Sequence, residues 1–138
     1  MRILGVDPGD RRIGLALSDP SGAIASPLQI LEHSQRQTDA ARIAALAAEH
    51  AASLIIVGEP LDAEGRPTPQ SRKARRLAAA IREAASVPVE MWEESGSSQA
   101  AHAARRELGA GRKARQQPVD ALAAALVLQS YLDSRKDQ

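Results

Sequence analysis

At 138 residues, 43% hydrophobic and with a formal charge of +1, the chain predicts one domain with a core of its own. It has no cysteine, which excludes a disulfide framework and a thiolate metal site and fits a reducing cytosol. No apolar run approaches the roughly 20 residues of a membrane span, and Trp92 and Tyr131 are the only aromatics, which argues against single-strand recognition by rows of stacked bases.

Arg2-Ile3-Leu4-Gly5-Val6 goes straight into a strand, without a charged-then-apolar leader. That strand ends at Asp7, and Pro8-Gly9 marks a turn. Residues 12–18 read as a second strand, antiparallel to the first because so short a connection permits nothing else. Asp19-Pro20-Ser21-Gly22 is a turn, and Ala23 to Ile30 supply a third strand. From about Thr38 to His50, Ala40, Ile43, Ala44 and Ala47 recur at helical spacing. Leu54-Ile55-Ile56-Val57 is an all-apolar strand of the kind buried on both faces. A polar, Pro- and Gly-rich loop over 59–70 precedes a basic helix from about Ser71 to Ala85. Val87 to Trp92 is a strand ending in Glu93-Glu94, residues 97–108 a helix, and 109–115 a basic flexible loop. Pro118 opens a last helix reaching about Ser134, which leaves 135–138 as a polar tail on a domain of 1–134. The order β-β-β-α-β-α-β-α-α implies an α/β fold, a mixed five-stranded sheet with helices on both faces.

The small net charge hides an asymmetry. Residues 1–60 carry five Lys/Arg against seven Asp/Glu, and residues 61–138 thirteen against ten. The excess falls in two clusters, Arg66 to Arg82 and Arg105 to Arg115, beside acidic positions. That combination suits a polyanion at one place and a metal at another, although solvated helix faces produce the same pattern. Asp7, Glu59 and Glu94 fall at strand ends, where ligands gather in open α/β sheets, and Asp120 falls in the first turn of the last helix. Each has a structural use as well. Asp7 can bond its own turn, Glu59 can be a loop residue between Gly58 and Pro60, and Asp120 suits a helix N-terminus. As a set, hard oxygen ligands without cysteine or a paired-histidine motif point to Mg²⁺ or Mn²⁺ and to phosphodiester hydrolysis. His33, His50 and His102 have no ligand spacing, and Ser97 and Ser98 read as cap residues.

These residues resemble the YqgF (RuvX) family along nearly the whole chain. Ile3 to Gly9 followed by Arg12 to Asp19 is similar to its opening motif, Val57-Gly58-Glu59-Pro60-Leu61 to its Gly-Leu-Pro segment, and Val119 to Ala124, continuing through Leu132, to its C-terminal signature. The resemblance implies an RNase H-like fold. It also implies a cytoplasmic nuclease with Asp7, Glu94 and Asp120 as its catalytic, metal-binding acids and precursor 16S rRNA as substrate. Arg72, Lys73, Arg75 and Arg76, with Arg112, Lys113 and Arg115, are the expected contacts to the nucleic-acid backbone. A monomer or weak homodimer without membrane attachment is expected. The chain departs from the family twice. Ser95 stands where the family has Arg, and Glu59 stands where it commonly has Leu, so Glu59 is a possible extra metal ligand. Branched DNA is the alternative substrate, and a non-cleaving RNA-binding module the alternative class. A small sugar-kinase-like or actin-like ATPase is a third reading, since Asp7-Pro8-Gly9 resembles a phosphate hairpin; one lobe of 138 residues argues against it.

Overall fold

A computed structural model describes residues 1–93 and 119–136, with the side chains of residues 119 and 120 outside the description. The expected helix over 97–108, the basic loop over 109–115, and the residues Glu94 and Ser95 lie outside the described residues. The elements are β1 (Arg2–Pro8), β2 (Arg12–Ser18), β3 (Ala25–Glu32), α1 (Arg36–Glu49), β4 (Ala52–Glu59), α2 (Pro69–Ala84), β5 (Val89–Glu93) and α3 (Val119–Lys136).

The sheet runs β3-β2-β1-β4-β5. β1, β2 and β3 form an antiparallel meander, while β4 lies parallel to β1 and β5 parallel to β4. The tight hairpin explains the first pairing. A Cβ on Gly9 would stand 2.5 Å from the Arg12 carbonyl oxygen, so only glycine lets the chain reverse there. The parallel pairs need crossovers, which α1 and α2 supply.

Strand alternation sorts the core into two layers. Leu4, Val6, Ile55 and Val57 face α1 and α2, whose Ala40, Ile43, Ala74, Leu77, Ala78 and Ile81 close that side. Ile3, Ala16, Leu54 and Ile56 face α3 through Ala124, Ala125, Leu128 and Leu132. Small side chains bring α3 close. A Cβ on Gly5 would lie 2.9 Å from Leu128 Cβ, inside any normal contact. Gln129 then ties the helix to the meander, accepting from Ala25 N at 2.9 Å and donating to the Ala23 carbonyl at 3.0 Å.

Several boundaries differ from expectation by about two residues, and three of them have a clear local reason. β3 starts at Ala25 rather than Ala23, because the Asp19 carboxylate takes the N–H groups of Ala23 and Ile24 at 2.8 and 2.9 Å and holds them in the turn. Glu59 is the last residue of β4, not the start of a loop, and is only 3% exposed. α3 runs to Lys136 and absorbs half of the expected tail. Arg135 and Lys136 suit the negative end of a helix, with Arg135 over the Tyr131 ring and Lys136 3.7 Å from Asp133.

Candidate active site

Three neighbouring strands end in acids at one edge of the sheet. Asp7 is the penultimate residue of β1, Glu59 the last of β4, and Glu93 the last of β5, in register with Glu59. The parallel course of these strands puts all three at the same end. Alternation divides them between the faces. Val6 and Val57 both belong to the layer under α1 and α2, so Glu59, two residues past Val57, returns to that side, and Asp7, one past Val6, turns to the side of α3. No group of three possible metal ligands is assembled among the described residues.

α3 lies antiparallel to β1. Met1 lines a pocket with Leu132 and Arg135, and Gly5 meets Leu128. Two further strand residues carry β1 about 7 Å to Asp7. Eight helical residues carry α3 back about 12 Å from Leu128 to position 120. The N-terminal turn of α3 therefore sits at the acidic edge of the sheet. β5 is fixed to the same helix: the Trp92 and Tyr131 rings meet edge to face at 5.5 Å, and Trp92 Nε1 donates to Ser130 Oγ at 3.3 Å. Glu94, Arg112, Lys113 and Arg115 lie outside the described residues, as does the Asp120 side chain.

Glu59 has a partner that its sequence context does not reveal. Arg75 of α2 brings Nε to 2.5 Å from Glu59 Oε2, with the acid 4% exposed and the arginine half in water. The approach is not aligned as a hydrogen bond, so this buried oxygen has charge compensation but no hydrogen-bond partner.

Arg72, Lys73, Arg75 and Arg76 all lie on the exposed flank of α2, opposite the apolar stripe of Ala74, Leu77, Ala78 and Ile81. The helix starts where Thr68 Oγ1 accepts from Ser71 N at 3.0 Å and Ser71 Oγ accepts from Thr68 N at 2.8 Å. Thr68 Oγ1 also donates to the Pro60 carbonyl at 3.0 Å, which fastens the basic helix to the end of β4 beside Glu59. Lys73 lies 3.3 Å from Asp10 of the β1–β2 connection. The loop between β4 and α2 is ordered around Asp62, whose Oδ1 accepts from the N–H groups of Glu64 and Arg66.

One cluster was not expected. Asp39, in the first turn of α1, is fully buried and accepts from Ser34 N at 3.1 Å, with His33 Nδ1 2.5 Å from its other oxygen. The apolar periodicity of α1 gave no reason to read Asp39 as buried, and the contact that buries it is visible only in three dimensions.

Comparison with known proteins gives a consistent picture. A family model described as "RuvX: Holliday junction resolvase" matches residues 1–134. A protein of Thermoanaerobacter pseudethanolicus named "Putative pre-16S rRNA nuclease" is 38% identical over the full length of both chains. A protein of the same name from an Anaeromyxobacter species is 41% identical over 98% of each. Among solved structures, Thermus thermophilus RuvC in complex with a Holliday junction substrate is similar with a TM-score of 0.58 at 22% identity, covering 99% of this chain and 96% of that one. The fowlpox virus Holliday junction resolvase is similar with a TM-score of 0.54 at 17% identity, covering 97% and 99%. These two likenesses establish the RNase H-like, resolvase-type fold.

Proposed function

This chain belongs to the RuvX family, and on that premise we propose that it is a nuclease that hydrolyses phosphodiester bonds of structured RNA in the maturation of precursor 16S rRNA. The observation that carries the reading is the edge itself. Asp7, Glu59 and Glu93 lie at the same end of three adjacent strands, and Asp7 turns to the side on which the N-terminal turn of α3 arrives. Asp7, Glu94 and Asp120 are the proposed catalytic set. Concentrated acids repel one another unless a cation is shared among them.

The donor chemistry fits Mg²⁺ or Mn²⁺. The set is all oxygen, the chain has no cysteine, and Asp7 and the N-terminal turn of α3 come to the same end of the sheet. Asp7, Glu94 and Asp120 would hold the metal, whereas Glu59, the possible extra ligand, turns to the other face and pairs with Arg75. When bound, such ions supply an activated water and stabilise the leaving oxygen. The protein holds the acids on rigid strand ends and a helix terminus, and the exposed cations of α2 grip the strand.

Relatives near 40% identical over their full length and named for pre-16S rRNA favour RNA over branched DNA, since the solved resolvases are similar only at 17–22% identity. No helix among the described residues is long and apolar enough to cross a membrane; the proposed setting is the cytoplasm, as a monomer or weak homodimer of one domain over 1–134. Incubation with Mn²⁺ and either a precursor 16S rRNA fragment or a four-way DNA junction tests the reading. Cleavage of the RNA that stops on chelation is expected. Cleavage of the junction alone would transfer the chain to the resolvases, and binding without cleavage of either to the non-cutting modules.

A further inference from the structure

A cavity of about 210 Å³ opens on the α1 and α2 side of the β1–β2 hairpin. Its wall combines Gly9 of the hairpin, His33 and Arg36 at the entry to α1, buried Asp39, and Lys73 and Arg76 of α2. None of these is among the proposed catalytic acids. The volume is several times the ~30 Å³ that a water occupies in the liquid, enough for a tetrahedral anion with part of its hydration.

The charges in this wall are not balanced internally. Asp39 is engaged by His33 Nδ1 and Ser34 N, and Asp10 by Lys73. Arg36 and Arg76 form no ion pair among the described residues, though both line the same cavity. Two guanidinium groups converging on one concave site match the oxygens of a phosphate, which accepts paired N–H bonds from each. Asp39 contributes indirectly. By accepting at Nδ1 it fixes the His33 ring and leaves Nε2 as the uncommitted nitrogen of a ring that lines the cavity.

We propose that this cavity is a phosphate subsite for the nucleic-acid strand, with Arg36 and Arg76 as its principal contacts and Lys73 and His33 at its margin. It rests on the reading of the acidic edge as a nuclease site, which it deepens. Gly9 is two residues beyond Asp7, at most about 7 Å along the chain. Asp7 turns to the other face of the sheet, so a phosphate seated here would belong to nucleic acid passing the same end of the strands and would help fix how it lies there.

The test is equilibrium binding of a short RNA with either a 5′-phosphate or a 5′-hydroxyl, without divalent metal so that nothing is cut. The proteins are wild type, the double variant Arg36→Gln/Arg76→Gln, and a charge-matched control, Arg135→Gln/Lys136→Gln, at the far end of α3. Both variants change exposed side chains, and their urea midpoints check that they fold. The cavity variant should bind at least about tenfold more weakly, a change of about 1.4 kcal/mol. Its salt slope should fall by about 0.7 for each cation lost, and the control should behave as wild type. Inorganic phosphate should raise the melting temperature of wild type and control but not of the cavity variant. Equal weakening toward both RNAs identifies an internal phosphate as the occupant. Weakening toward the 5′-phosphorylated RNA alone identifies a terminal one. Unchanged binding, or a loss matched by the control, overturns the proposal. A wild type that binds but never cuts with Mn²⁺ would refute the nuclease reading and leave the subsite standing.

Discussion

Replacing Arg75 by glutamine strips the compensating charge from a carboxylate that cannot reach water. The Glu59 side chain is 4% exposed and its Oε2 has no hydrogen bond to fall back on. Breaking a fully buried ion pair costs about 3–5 kcal/mol. Here the arginine is half in water, so screening reduces the effect, and about 1–3 kcal/mol is expected. With a urea m-value of about 2 kcal/mol per molar, the midpoint should fall by roughly 0.5–1.5 M. Glu59→Gln removes the stranded charge, so the double variant should lose at least about 1 kcal/mol less than the two single losses combined. The same pairing makes Arg75 a weaker contact for nucleic acid than its neighbours. Arg75→Gln should therefore flatten the salt dependence of RNA binding less than Arg76→Gln does. Urea unfolding of the four proteins in the cycle measures the coupling. An Arg75→Gln protein within about 0.5 kcal/mol of wild type would show that the pair does not compensate Glu59.

Gly5→Ala should cost roughly 1–3 kcal/mol in urea unfolding, because its Cβ would sit 2.9 Å from Leu128 Cβ and push α3 off the sheet; a neutral result would mean that α3 does not pack as described. The Asp19 carboxyl is held well below the usual carboxylate range by the Ser21 hydroxyl first, then by the N–H groups of Ile24 and Ala23. A lowered folded value stabilises the turn fully above the unfolded value, about pH 4, and that contribution is lost as pH falls toward the folded one. The stability gap between wild type and Asp19→Ala should therefore be constant from pH 5 to 8 and shrink below about pH 4, and a gap unchanged at pH 2 would refute the assignment. Ser95→Arg, which restores the cation of the family motif, should speed single-turnover cleavage by roughly 10- to 150-fold while Mn²⁺ affinity stays the same. A change in metal affinity instead would assign position 95 to the metal site.

The strands were readable where burial dictates composition. Ile3 to Val6 and Leu54 to Val57 are apolar on both faces because both strands lie inside the sheet between helices. The position of Asp7 near the end of β1 was readable as well, because Pro8-Gly9 marks the turn that follows. The start of β3 was not, because Asp19 bonds backbone groups four and five residues away, beyond the period of a strand. Glu59 was obscured by Gly58 and Pro60, which look like loop residues, and its burial depends on Arg75, 16 positions along the chain. His33 is the surface residue its sequence context suggests, but its contact with buried Asp39 is not visible there. Its meaning depends on Asp39 and on cations from α2 that chain order does not bring near it. Composition reports whether a segment is inside, and long-range polar pairing decides which charged residues share a site.

In the proposed mechanism Asp7 performs chemistry that RNA binding does not require. Asp7→Asn keeps the shape of the side chain and removes the negative charge. The decisive measurement is single-turnover cleavage of one end-labelled precursor 16S rRNA fragment at saturating Mn²⁺, beside the affinity of the same RNA without metal, for wild type and Asp7→Asn. Wild type should cut, whereas Asp7→Asn should bind the RNA with nearly the same affinity and leave it uncut. An Asp7→Asn protein that cleaves as fast as wild type would contradict this mechanism, because the acidic edge would then not be the seat of the reaction.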